Sequence, residues 1–435
     1  MRYGGRLLLL LLVLAGSLLP AAAEEAEDRA LVTLLRQRAL PLAREADLDP
    51  LLERARKTRL VLLGDASHGS YDFYRVRTHI TQRLLREQGF SFVAIEGDWE
   101  GVAAVDRYVR NLPGAAGTAT AALQGLGSWP GWVWNNREME RLVEWLRRFN
   151  LQRRPEKRIP IHGMDLLGFS ASLDQLVDRP ETAAAGNRLK ECLSPYLDNP
   201  MHYPEALLQE ADDCVEAVAS LRDSLAGTGT GRSFGFEQRL RIVENAEAYY
   251  RAMATSAAGA WNLRVAHFAD TLEFLLAHQG PESKGIVWAH NTHIGDARVT
   301  DMAARGTQSL GELLRQRFPP TTLLLVGSAC YRGTVLSSRQ WGAPVETFTM
   351  PPAVAGSFEE LMHQTGLAVA YWLFEPDDRE QGPLARPRGQ RAVGVVYDPE
   401  ADSRDNYLGT LLPARYDALI YVDTTTALEP LGGAD

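Results

Sequence analysis

The sequence predicts an α/β fold: a mainly parallel central sheet flanked by helices, with an inserted helical subdomain. Three observations carry this. Short apolar runs recur along the chain and each stops abruptly in polar residues, the pattern of strands buried on both faces. Amphipathic helical patterns alternate with those runs. One long stretch, residues 171–278, holds helical patterns and no convincing strand. The composition agrees: 45% hydrophobic, 23% charged and 8% aromatic residues are globular proportions and exclude a disordered, collagen-like or disulfide-scaffold chain.

In chain order, Arg2 and Arg6 precede an apolar run over residues 7–19, followed by Pro20, three alanines and the acidic pair Glu24 and Glu25. A positive start, an apolar middle and a small-residue cleavage site read as a signal peptide over residues 1–23. The run is short of the ~20 residues that span a bilayer. Cleavage leaves residues 24–435 as a soluble protein, periplasmic or secreted, and removes two arginines from a chain whose formal charge is −9. No later segment is long and apolar enough to cross a membrane. With 46 Lys+Arg against 55 Asp+Glu, the balance argues against nucleic acid as partner, since phosphate binding needs a basic surface.

Expected strands follow at residues 59–63, 92–95, 159–161, 285–289, 322–326, 392–397 and 418–422. Expected helices cover 71–87, stopping at Gly89, and 137–149, capped by Asn135 or Asn136. Residues 188–225, 234–253 and 261–278 read as helices of the insertion, punctuated by a Gly/Thr/Ser loop at 227–233. Residues 376–390, rich in Gly, Pro and Arg, read as a surface loop. The α/β catalytic domain is thus expected over 24–170 and 279–435, with the helical insertion at 171–278. Of three cysteines, Cys192 and Cys214 are the plausible disulfide pair, leaving Cys330; no CxxC spacing suggests zinc.

In open α/β sheets, ligands bind beyond the carboxyl ends of the strands. Four such ends carry ionisable groups: Asp65 and His68, Glu96 and Asp98, His162 and Asp165, His290 and His293. A hydrolytic site needs a base, a carboxylate to orient it and donors for a developing oxyanion, and these ends supply all three. His68, His290 and His293 are favoured by position, in loops directly after strands; His162 and Asp165 are balanced between function and backbone capping. His79, His202, His267, His278 and His363 fit structural roles. The same cluster could ligate a divalent metal, although HxxH alone is weak and HExxH is absent. Ser67 is a poor nucleophile candidate, because the G-x-S-x-G elbow is missing. Trp129, Trp132 and Trp134 crowd into six residues and read either as packing under the next helix or as a wall for a bulky, partly apolar small-molecule substrate.

These residues lie in motifs that resemble the erythromycin esterase family: GDASHG (64–69), AIEGDW (94–99), VDRYVR (105–110), WVWNNREM (132–139), HGMDLLG (162–168), ENAEAYYRAM (244–253), WNLR (261–264), WAHNTHIGDAR (288–298), YRGTV (331–335) and a C-terminal DALIYVDTTTALEPL. The resemblance spans roughly residues 55–431. It implies hydrolysis of a carboxylic ester or lactone, in macrolide-acting members the macrolactone ring, by a histidine base that activates water without a covalent intermediate. The matching base is His68. The family carboxylates fall on Asp65 and Glu96, its arginines on Arg77 and Arg264, and its histidine pair on His290 and His293. Glu96 or Asp65 would hold His68, and Arg77 or a histidine would stabilise the tetrahedral intermediate. Arg264, Trp132, Trp134, Asp98 and Asp165 are the expected substrate contacts. No cofactor or metal is expected. The family motif commonly carries Glu where this chain has Asp65, a difference of one methylene and ~1.5 Å of reach. Two rival expectations use the same cluster: a metal-dependent hydrolase, and an exported small-molecule-binding protein that has lost catalysis. The oligomeric state is left open.

Overall fold

The computed structural model describes residues 24–126, 130–180, 182–224 and 233–432. The expected signal peptide, Trp129 and most of the 227–233 loop lie outside them. Among the described residues the eleven strands are β1 (Leu40–Pro41), β2 (Leu60–Asp65), β3 (Phe92–Asp98), β4 (Ile161–Asp165), β5 (Gly285–His290), β6 (Leu323–Ser338), β7 (Val345–Met350), β8 (Val369–Leu373), β9 (Arg388–Arg391), β10 (Tyr407–Thr410) and β11 (Ala418–Thr425). Nine build one sheet in the order β1-β8-β11-β6-β2-β5-β3-β4, with β7 paired to β6; β9 and β10 form a separate antiparallel pair. From β11 to β4 every neighbouring pair is parallel. The antiparallel pairs sit at the margin, where β1 and β8 extend the sheet and β7 folds back on β6.

The apolar runs become strands because the sheet is covered on both faces. Val61, Leu63, Val93, Ile95 and Trp288 point into one core, and Leu60, Leu62, Phe92, Ala94 and Val287 into the other. The helices are α1 (residues 24–38), α2 (Asp49–Ala55), α3 (Tyr71–Glu87), α4 (Trp99–Val109), α5 (Ala119–Leu123), α6 (Arg137–Leu151), α7 (Phe169–Val177), α8 (Ala183–Leu193), α9 (His202–Leu207), α10 (Val215–Asp223), α11 (Phe234–Met253), α12 (Ala257–Gln279) and α13 (Asn291–Ile294), with further short ones after them. Helices α3, α4 and α6 cover the first core; α1 and α12 cover the second. Helix α6 begins at Asn136, whose side chain accepts from the amides of Glu138 and Met139.

Between β4 and β5 the described residues form helices joined by turns, with no strand among them. Leu173, Leu189, Tyr203 and Val243 form a core of their own, joined by Trp99 from α4. Helix α12 belongs to both parts, since Val265, Phe268 and Leu272 pack directly on the sheet. The helix expected over 188–225 is broken into α8, α9 and α10; Pro195 and Pro200 lie in the break between α8 and α9, and Pro204 sits in the first turn of α9, where a proline is tolerated. Cys192 and Cys214 join α8 to α10 as a disulfide, with Cα atoms 6.0 Å apart, and Cys330 is free and buried.

Two expectations are corrected. Residues 392–397 do not form a strand; they cross the end of the sheet and touch it through single bridges, Val393 to Ser67 and Val396 to Ser338. The ladder forms one step earlier, at β9, inside the segment expected to be loop, after two short 3-10 turns at Pro376–Arg379 and Pro383–Ala385. Strands β7 and β8 were not foreseen. From Thr347 to Met350 β7 alternates exposed and buried residues, the pattern of a half-covered edge and unlike the continuous runs at the centre. No helix among the described residues is long and apolar enough to cross a membrane.

Candidate active site

Parallel pairing sets the strand ends side by side. Asp65 ends β2 opposite His290 at the end of β5. Asp98 ends β3 opposite Asp165 at the end of β4. Between Ile95 and Asp98 β3 carries one more residue than β4, a bulge that places Glu96 where its Oε2 accepts from the backbone N–H of His290 at 3.0 Å. Gly163 permits this approach, since a Cβ there would meet the carbonyl oxygens of Gly97 and Asp98 at about 2.5 Å.

Above these ends lies a cavity of about 470 Å³. His68, Glu96, Asp98, Asp165, Arg264, His290 and His293 reach it, and its apolar wall includes Trp134, Tyr249 and Trp261. Four of the expected catalytic residues and four of the five expected substrate contacts therefore share one chamber.

His68 sits in the loop after β2, almost wholly buried, with Nδ1 turned to Oδ1 of Asp65 at 3.5 Å. That is a charge contact, longer than an aligned hydrogen bond. Distant segments fix the loop: the amides of Leu336 and Leu428 donate to the carbonyl of Gly69, and that of Val393 to the carbonyl of Ala66. A Cβ on Gly69 would fall 1.7 Å from the carbonyl oxygen of Leu336, so only glycine fits there. Ser67 is fully buried, bonds Ser70 and does not face the cavity. Burial disfavours charge on His68, but the carboxylates of Asp65 and Glu96 outweigh it and raise its pKa above the ordinary histidine value.

Asp65 and Arg77 lie beneath the chamber and do not line it. Arg77 contacts Oδ2 of Asp65 at 2.8 Å, and its guanidinium is held over the rings of Tyr74 and Trp288, 4.5 Å from each. Arg77, expected as a stabiliser of a tetrahedral intermediate, is thus not among the residues that line the cavity, its guanidinium lying against the two rings and paired with Asp65. Trp132, expected as a substrate contact, does not line it either, being packed in the core below the wall that Trp134 supplies. Trp134 donates from Nε1 to the carbonyl of Glu96 at 2.7 Å, which fixes both the wall and the bulge.

Glu96 is the hub. Its Oε1 accepts from Arg264 at 3.0 Å and contacts Nε2 of His293 at 3.1 Å. Burial would raise its pKa, but His293 and Arg264 hold it well below the usual carboxylate range. Arg264, on α12, also clamps Asp165 through Nε at 3.0 Å and a second nitrogen at 2.5 Å. Asp165 accepts as well from the amides of Leu166 and Leu167, so its lone pairs are largely used inside the protein. His293 is stacked on Trp261, 4.6 Å between ring centroids.

His290 caps α13: its Nδ1 accepts from the amide of Thr292 at 3.3 Å and lies 2.8 Å from the Thr292 hydroxyl. Burial, with His68 adjacent, pushes its pKa down to about 3. A neutral ring that accepts at Nδ1 carries its proton on Nε2. That N–H has no hydrogen-bond partner among the described residues, and the ring lies 4.8 Å from that of His68. His162 stands apart, stacked on Trp99 beneath the helices, with burial pushing its pKa down to about 3. Among the described residues no three His, Cys, Asp or Glu side chains are placed to hold a metal ion together.

Tyr249, Trp261 and Trp341 were missed as cavity residues. Trp261 and Tyr249 were visible only inside quoted motifs, and nothing in the local sequence brings the tip of the β6–β7 hairpin, which carries Trp341, to this end of the sheet.

Among solved structures, the chain is similar to a succinoglycan biosynthesis protein (TM-score 0.74, 18% identity, covering 92% of this chain and 98% of that one). It is also similar to a protein from Bacillus cereus (TM-score 0.73, 18%, 93% and 99%). A third likeness is to a mutant of the erythromycin esterase EreC in its open conformation (TM-score 0.63, 15%, 90% and 96%). At these identities the likeness shows a common fold. Residues 85–425 match the family described as Erythromycin esterase, a span that holds Glu96, Asp165, Arg264, His290 and His293 and begins after His68. On that match, the chain belongs to the erythromycin esterase family.

Proposed function

We propose that the protein is an exported hydrolase of carboxylic esters or lactones in which His68 is the general base. The observation that carries this is His68 at the cavity floor with Nδ1 turned to the buried Asp65, which leaves Nε2 for the cavity. Nε2 takes a proton from water as the water oxygen attacks the carbonyl carbon. The carbonyl π electrons move to oxygen, and the Nε2–H of neutral His290 is the donor placed for that charge. On collapse the C–O bond breaks and His68 returns the proton to the leaving alkoxide. Asp65 orients His68 and favours its protonated form; Glu96 holds His293, Arg264 and the β5 end in register. The Cys192–Cys214 disulfide fits an oxidising compartment outside the cytoplasm and supports export.

A hydrolysis screen of the protein across simple esters, lactones and macrolides, with His68→Ala as control, tests the reading. Turnover that disappears in His68→Ala is expected. Turnover unchanged in that variant, or in neither protein on any ester, would reject it. The metal-dependent alternative predicts stoichiometric metal in untagged protein and activity that chelator removes and metal restores.

A further inference from the structure

The charges that reach the cavity do not balance. Among the described residues, Glu96, Asp98 and Asp165 line it against one guanidinium, Arg264, and no lysine, while His293 pairs with Glu96 and His68 with Asp65. Arg264 is shared by Glu96 and Asp165. Among the described residues Asp98 has no cation within ion-pair distance, and its side-chain bond there is Oδ1 accepting from the amide of Gly101 at 2.7 Å. Its environment opposes the charge, since burial and the nearby carboxylates of Asp165 and Glu100 push its pKa up to about 6. A second observation marks the chamber as built for a ligand. Nε2 of His290 and Nδ1 of His293, both deeply buried, lack a partner among the described residues. Aromatic surface completes the setting: Tyr249, Trp261 and the half-exposed Trp341 line the same cavity, and such faces attract cations.

We infer that Asp98 is the recognition point for a positively charged group, an ammonium carried by the ester substrate. The inference rests on the hydrolase reading for its substrate and names the substrate's charge. A cation beside Asp98 supplies the counter-charge that the protein withholds, and the aromatic wall holds its alkyl substituents. An anionic substrate would instead meet an excess of carboxylate.

The test pairs butyrylcholine with 3,3-dimethylbutyl butyrate, which replaces N⁺ by carbon at nearly the same shape, and the corresponding inert ethers. Asp98→Asn is the variant, because Asn remains a good helix cap and keeps the start of α4. The wild-type protein is expected to favour the choline ester over its isostere at least ~10-fold in kcat/KM, and the choline ether similarly in calorimetric Kd, as for a charge attracted by a carboxylate and aromatic faces without a hydrogen bond. In Asp98→Asn both ratios should fall to near one; a general loss common to both compounds cancels in the ratio. Equal binding of the two ethers by the wild type, or a ratio unchanged in Asp98→Asn, overturns the inference. Cation preference retained in the ethers with no ester hydrolysed would sustain the Asp98 site and reject the hydrolase reading instead.

Discussion

At the scale of single residues, two carboxylates that looked interchangeable in sequence have separate tasks. Asp65 meets His68 and the buried Arg77; Glu96 meets His293, Arg264 and the His290 amide. Asp65 and its neighbours fix a pH dependence. A base works unprotonated, and the pKa of His68 is raised, so kcat/KM should fall as pH drops through a midpoint above the ordinary histidine value of about 6.5. Asp65→Asn removes the charge that raises it. The acid limb of the pH–rate profile is then expected to move to lower pH, and a limb that stays in place would show that Asp65 does not tune His68. Arg77→Met leaves buried Asp65 with His68 as its remaining charged partner and is expected to cost about 3–5 kcal/mol in urea unfolding, with Asp65→Asn/Arg77→Met recovering much of it. The residue types were legible because ionisable groups cluster just after apolar runs. The seating of Arg77 against Tyr74 and Trp288 was not, because Trp288 comes from a strand far along the chain.

At the scale of elements, the site depends on strand ends held by remote segments. The loop bearing His68 is tied to β6, to residue 393 and to Leu428, none of them close in sequence. Gly69→Ala should therefore displace the loop against the Leu336 carbonyl, lowering the melting temperature and kcat together; a fully active Gly69→Ala protein would mean that the loop geometry is not needed. Central strands and the helices α3, α6 and α11 were readable because burial on both faces, or a clear amphipathic face with a cap, leaves a local pattern. The 392–397 segment shows the limit. Its apolar residues are those of a strand, but they cross the sheet end and line the cavity, a tertiary fate that local pattern does not encode.

At the scale of the whole molecule, the sheet and the helices between β4 and β5 share one chamber, since Tyr249, Trp261 and Arg264 descend from α11 and α12 onto strand ends. Arg264 joins the two parts by its bonds to Glu96 and Asp165. The Cys192–Cys214 link closes a 22-residue separation within the helical part, and its reduction is expected to lower stability by about 3 kcal/mol, read as a denaturation midpoint shifted by reductant. No shift would mean that α8 and α10 are held without it. The family was legible as an ordered set of motifs spanning the chain, whereas the charge imbalance around Asp98 emerges only when four strand ends and two helices are assembled. The central claim, that His68 activates water, is tested most directly by kcat/KM for an ester in wild-type and His68→Ala proteins of equal folded content. A loss of about 10²–10⁴-fold, with the acid limb of the profile abolished, is predicted; undiminished turnover with the same acid limb would contradict it.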